Sequence, residues 1–79
     1  LEYYLQREVR DVRTGTCIYG IRVEQYREIG GRTSYEEETA PALSYSGRQV
    51  AGLIEKLRRL SVTPTGLLEA VDDEVGEWV

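Results

Sequence analysis

No histidine, phenylalanine or methionine occurs among the 79 residues, and cysteine, lysine and tryptophan occur once each. Without histidine, imidazole-based acid–base, nucleophile and metal chemistry is excluded. A lone Cys17 cannot close an internal disulfide, which is compatible with a reducing cytoplasm. It has no neighbouring base or electropositive surround to make it a nucleophile, and its apolar strand marks it as core filler. No apolar run reaches the ~18–20 residues of a membrane span, and no secretory signal pattern opens the chain. Gly30-Gly31 stands alone, without the spacing of a phosphate-binding loop. The chain opens on Leu1 without an initiator methionine, which fits a trimmed or partial chain.

What remains is a small, ordinary globular composition, 41% hydrophobic and 30% charged, read as one domain over residues 1–79. A chain of this size has a core worth only a few kcal/mol. Net charge is −4, unevenly spread: residues 1–45 carry −2, residues 46–66 carry +3 and residues 67–79 carry −5. The basic and acidic segments are expected to pair at their edges or to form two separate charged patches. Six tyrosines without a phenylalanine suit half-buried sheet positions.

Residues 46–79 read as two short helices hinged at 62–64. Ser46-Gly47-Arg48-Gln49 is a capping box, and Val50, Leu53, Ile54, Leu57 and Leu60 then fall on one helical face. Glu55 precedes Arg59 by four residues, the order of a favourable exposed pair. Pro64 stops simple continuation and suits a first helical turn, which makes Thr63 the N-cap of a second helix. Leu67, Leu68, Val71, Val75 and Trp78 form its apolar face, with acids on the remainder. Acids in a last turn oppose the helix dipole, so that end needs Trp78 docked.

Residues 1–45 read as antiparallel strands. Tyr3, Leu5 and Val9 share one parity over residues 1–12, and Cys17, Tyr19, Ile21 and Val23 share one over 16–29. A turn at Arg13-Thr14-Gly15 setting residue 11 against 17 would place Val9 opposite Tyr19 and Leu5 opposite Val23. Gly20 marks a bulge or a close backbone approach. Gly30-Gly31 signals a second hairpin into a third strand, 33–39, ended by Pro41. A two-residue loop there sets Glu24 against Glu37, an unfavourable pair that a longer loop or bulge would avoid. The charged third strand belongs at a sheet edge. The expected fold is α+β, a three-stranded antiparallel meander followed by two helices, in the order βββαα.

Tyr19-Gly20-Ile21 in a strand, Leu43-Ser44 before a capped helix, Ser61-Val62-Thr63-Pro64 and then Leu67-Leu68 resemble a family of short, mainly Gram-positive bacterial proteins catalogued as a domain of unknown function. The likeness covers nearly the whole chain, and Val62-Thr63-Pro64-x-x-Leu67 is its most distinctive part. It implies a domain that stands alone. It implies no activity and no catalytic residue.

Three function classes are weighed. For an enzyme, no catalytic constellation is present and no cofactor is expected. Glu36-Glu37-Glu38 and Asp72-Asp73-Glu74 lack the alternating loop of a hard-cation site, so solvated charge is the simpler account and no metal is expected. For nucleic acid, segment 48–78 resembles a helix-turn-helix with a small basic patch at Arg48, Lys56, Arg58 and Arg59. Its would-be recognition helix carries five acids and no base, which opposes phosphate binding. For protein contacts, a sheet with helices on one side leaves a face on which Tyr4, Ile18, Tyr26 and Tyr35 fall, depending on register. The expectation is a non-enzymatic, cytoplasmic interaction or regulatory module whose partner is another protein or a second copy of itself.

Overall fold

The computed structural model describes residues 1–78. Three antiparallel strands, β1 (Glu2–Asp11), β2 (Thr16–Ile29) and β3 (Arg32–Ser44), form one sheet in the order β1-β2-β3, followed by helices α1 (Gly47–Arg59) and α2 (Leu67–Val75). The βββαα order is the one the sequence pattern predicts.

Turn chemistry sets the two hairpins. Gly30 and Gly31 have φ of 59° and 79°, the left-handed pair that a two-residue hairpin loop requires, and Ile29 faces Arg32 across it. The first loop runs from Val12 to Gly15. The Asp11 carboxylate accepts from the Arg13 N–H at 2.9 Å, and the Gly15 N–H donates to the Asp11 carbonyl at 2.9 Å, with Gly15 at φ 72°. Register slips between Val9 and Asp11, so Val9 faces Cys17, Leu5 faces Ile21 and Tyr3 faces Val23. This pairing lies two residues from the one expected. An even slide leaves every side chain on its intended face, so alternation alone cannot detect it.

The third strand departs further from expectation. It continues through Pro41 to Ser44, with a slip between the pairs Ile21–Ala40 and Tyr19–Ser44 and with Ala42 at φ 55°. Proline is tolerated because β3 is an edge strand and Pro41 sits at the irregularity, where no ladder donor is needed. Opposite the slip, a Cβ on Gly20 would lie 2.5 Å from the Ala40 carbonyl oxygen. Gly20 thus marks both a bulge and a close approach.

The core joins Ile21, Val23 and Ala40 of the sheet to Val50, Leu53, Ile54 and Leu57 of α1 and Leu67 and Val71 of α2, with Val75 and Trp78 against its edge. Two residues of the expected helical faces lie outside it: Leu60 is 64% exposed and Leu68 49%. At Leu60 the helix has already ended. Ser61 takes φ 53°, its N–H donates to Arg58 O, and the Val62 N–H donates to Leu57 O, both at 3.1 Å, a Schellman closure that turns the chain away. Leu68 follows buried Leu67 by one residue, about 100° around the axis, while Val71 follows by a full turn.

Ser46 Oγ accepts from the Gln49 N–H at 3.2 Å, half of the predicted capping box. The reciprocal half is rerouted through Ser44, whose hydroxyl donates to Gln49 Oε1 at 2.7 Å and accepts from the Ser46 N–H at 3.0 Å. Thr63 caps a short 3₁₀ turn, Pro64–Gly66, rather than the α-helix itself, and makes no side-chain cap bond. Glu55 pairs with Arg58 instead of Arg59. Lys56 Nζ reaches Glu74 Oε1 at 2.7 Å, so the basic helix and the acidic one do pair at their edges.

At 1.5 Å per residue α1 is only ~20 Å long, whereas the molecule extends 50 Å along its longest axis. Helices of this length cover the middle of the sheet and leave both ends bare. On the core side of β1, Leu5, in an edge strand, and Val9, toward an uncovered end, stay 46% and 53% exposed, and Cys17 is half-buried outside the core cluster instead of filling it.

Candidate functional site

The sheet face opposite the helices is built by the parity of three strands. The pairs Tyr4–Arg22, Glu2–Glu24, Glu24–Glu37 and Tyr26–Tyr35 alternate with the core pairs, which places all these side chains on the open side. Tyr4, Ile18, Tyr26 and Tyr35, the four residues singled out in the sequence, therefore share one face. Three of them reach solvent, at 39%, 67% and 44% exposure for Tyr4, Tyr26 and Tyr35. Ile18 does not, being buried at the floor of a hollow that Gln6, Glu8, Pro41 and Ala42 help to line.

Arg22 is the centre of this face. Glu24 and Glu37 do stand opposite each other, the like-charge pair that a two-residue loop forces. Instead of a register change, Arg22 offsets it. Its Nη2 lies 3.0 Å from Glu24 Oε1, also bonds Glu37 Oε2, and donates to the Tyr35 hydroxyl at 3.0 Å. Tyr35 in turn donates to Glu37 Oε2 at 2.5 Å. That bond, with Arg22 beside it, holds the Glu37 carboxyl below its usual range. The same bond pushes the Tyr35 phenol up to about 12. Tyr4 donates to Glu2, and its phenol is likewise pushed up to about 12. The Tyr26 and Tyr35 rings meet at 4.8 Å between centroids, tilted by 34°. The i, i+2 spacing of Arg22–Glu24 and of Tyr35–Glu37 along their strands is the one local signal of this network. Their convergence needed the cross-strand register.

The basic patch is divided. Arg48 lies in the first turn of α1 and Arg58 and Arg59 in its last, ~15 Å apart along the axis. Lys56 is paired with Glu74, and Arg58 with Glu55 while also lying 5.7 Å from the Tyr3 ring centre. Arg48 and Arg59 are exposed. Of the third strand's acids, Glu37 belongs to the open face and Glu36 and Glu38 to the helix side. Among the described residues no group of three or more acids or cysteines is placed to hold a metal ion.

Tyr3 gave no local signal. Its hydroxyl donates to the Val62 carbonyl at 2.8 Å, with the Leu57 carbonyl at 3.4 Å, which ties the hinge between the helices to the first strand. Burial raises its pKa, and Arg58 opposes the shift. No described helix is long and apolar enough to cross a membrane.

No curated protein and no solved structure matches the chain. The model of a family of unknown function, DUF6514, matches residues 1–77, all three strands and both helices included. The chain belongs to that family.

Proposed function

We propose that this domain is a non-enzymatic protein-interaction module that engages its partner through the open sheet face. The observation that carries this is the Arg22 network: Tyr4, Arg22, Tyr26 and Tyr35 stand together on a face that no element of the described chain covers. Tyrosine and arginine are the side chains most enriched in binding hot spots. Here hydrogen bonds and ring contact already fix them, which lowers the ordering cost of association. Glu2, Glu8, Glu24, Glu28 and Glu37 share the face with Arg22, so its acids predominate and the complementary partner presents arginine or lysine. The absence of histidine and the position of the Cys17 thiol, 3.4 Å from the Gly15 carbonyl, support a role without catalysis. A free cysteine suits a cytoplasmic setting.

The test compares the wild-type domain with Tyr4→Ser/Tyr26→Ser and with Glu69→Gln/Asp73→Gln on α2, each as bait for proteins of the native host. A partner held by the wild type and by the α2 variant, but lost from the tyrosine variant, is the expected result. Equal retention by all three overturns the assignment of the face. The competing nucleic-acid reading of segment 48–78 predicts duplex DNA binding that weakens steeply with salt and is lost in Arg58→Glu/Arg59→Glu. That outcome would replace the proposal.

A further inference from the structure

The sheet has two edges, and they are not alike. The β3 edge is blunted by three consecutive glutamates, by Pro41 and by the slip at Ala42. The β1 edge is less defended: its residues Glu2–Asp11 contain no proline and no run of like charges, its one slip lies at the far end between Val9 and Asp11, and Leu5 and Val9 remain exposed beside it. A strand edge left this open is a template for another strand.

We infer that β1 is a self-association edge, pairing antiparallel with β1 of a second copy about a two-fold axis at Gln6. The inference rests on the self-complementarity of the strand. A two-fold axis perpendicular to the sheet requires that if residue i faces j, then j faces i, and it keeps the two helix sides together. Centred on Gln6, the register sets Glu2 against Arg10, Tyr3 against Val9, Tyr4 against Glu8 and Leu5 against Arg7, each twice. Opposite charges meet, a phenol meets a carboxylate, and exposed Val9 meets an aromatic ring. Neighbouring registers fail on charge. A centre at Leu5 sets Glu2 against Glu8, one at Arg7 sets Arg7 against itself, and one at Glu8 sets Glu8 against itself. A centre at Val9 also matches charges, but it pairs only residues 7–11, a shorter overlap than residues 2–10, and its pairs are centred on the irregularity that the Gln6 register meets only at its end. The Gln6 register gives the longest overlap without a like-charge contact. It would join two open faces into one continuous sheet, doubling the tyrosine surface. The inference stands on the strand edge and is independent of what that surface binds.

The test places cysteines on β1 in a Cys17→Ser background under mild oxidation. Residues facing each other across a strand pair are ~4.5–5.5 Å apart, within disulfide range. Gln6→Cys is expected to give a covalent dimer by itself. Glu2→Cys and Arg10→Cys are expected to cross-link when mixed, and neither alone. In light scattering, Glu2→Arg should weaken the dimer about tenfold by reversing two symmetric pairs, and Glu2→Arg/Arg10→Glu should restore it. A monomer at every concentration overturns the inference and leaves the tyrosine-face reading standing. Cross-linking through Val9→Cys but not Gln6→Cys overturns the register. Circular dichroism of each variant separates lost pairing from lost fold.

Discussion

Replacing Gly20 by alanine sets a methyl carbon 2.5 Å from the Ala40 carbonyl oxygen, 2.9 Å from Pro41 Cα and 3.1 Å from the Ala42 nitrogen. Carbon–oxygen contacts settle near ~3.3 Å, so the third strand would have to retreat by roughly 0.8 Å at its irregular segment. All three neighbours are backbone atoms, and no side-chain rotation relieves them. Overpacking of this kind costs about 1–3 kcal/mol. Restricting the unfolded chain returns about 0.4–1 kcal/mol, and because the clash is with backbone well inside contact distance the cost falls in the upper half of its range, leaving a net loss of about 1–2.5 kcal/mol. A domain of this length holds about 4–12 kcal/mol in total, so the loss is measurable without abolishing the fold. With a urea slope near ~1 kcal/mol per molar, the unfolding midpoint should fall by about 1–2.5 M. Gly52→Ala is the internal control. Gly52 is exposed on α1 with nothing within 4 Å of its added Cβ, and the change should raise stability by about 0.5–1 kcal/mol. A Gly20→Ala midpoint equal to or above wild type would refute the close approach of the third strand to Gly20.

Leu57→Ala removes a side chain only 1% exposed and should cost about 2–5 kcal/mol in urea unfolding, whereas Leu60→Ala, at 64% exposure, should change stability by less than about 0.5 kcal/mol. Ser61 holds φ 53° at the end of α1, and Ser61→Gly should stabilise by up to about 1 kcal/mol, read as a raised thermal midpoint. Tyr3→Phe deletes the donor to the Val62 carbonyl and should cost about 0.5–1.5 kcal/mol by denaturant unfolding. The Tyr35 pKa, raised to about 12, makes a contribution that is complete below the ordinary phenol value near 10 and is lost as pH rises through 12. Ultraviolet titration should show one late-ionising phenol missing from Tyr35→Phe. The depressed Glu37 pKa works in the opposite direction, its contribution being complete above the ordinary carboxyl value and lost as pH falls through the lower folded one.

The amino-acid sequence by itself determined the elements and their faces. Local rules act over a few residues: the glycines that hairpin loops require, the Ser46 cap, Pro64 in a first turn, and the period that buries Val50, Leu53, Ile54 and Leu57. Strict alternation also fixed which residues of each strand share a side, but that Tyr4, Tyr26 and Tyr35 of three different strands meet on one face depended on the register. What only the tertiary structure decided depended on long-range contact. An even register slide preserves parity, so the pairing of β1 with β2 was invisible to alternation, and so was the diagonal reach by which Arg22 makes the Glu24–Glu37 pair tolerable. Burial at the ends of the elements was settled by coverage. Leu5, although opposite fully buried Ile21, stays bare because β1 is an edge strand, Val9 because it lies toward an uncovered end, and the chain reversal at Ser61 takes Leu60 out of a core its spacing had assigned it to. The passage of β3 through Pro41 required both an edge position and the missing Cβ of Gly20 on the neighbouring strand. The edge position was legible in the charged run Glu36-Glu37-Glu38, but the gap at Gly20 cannot be read from the residues around Pro41, because it is a property of the strand that packs against it.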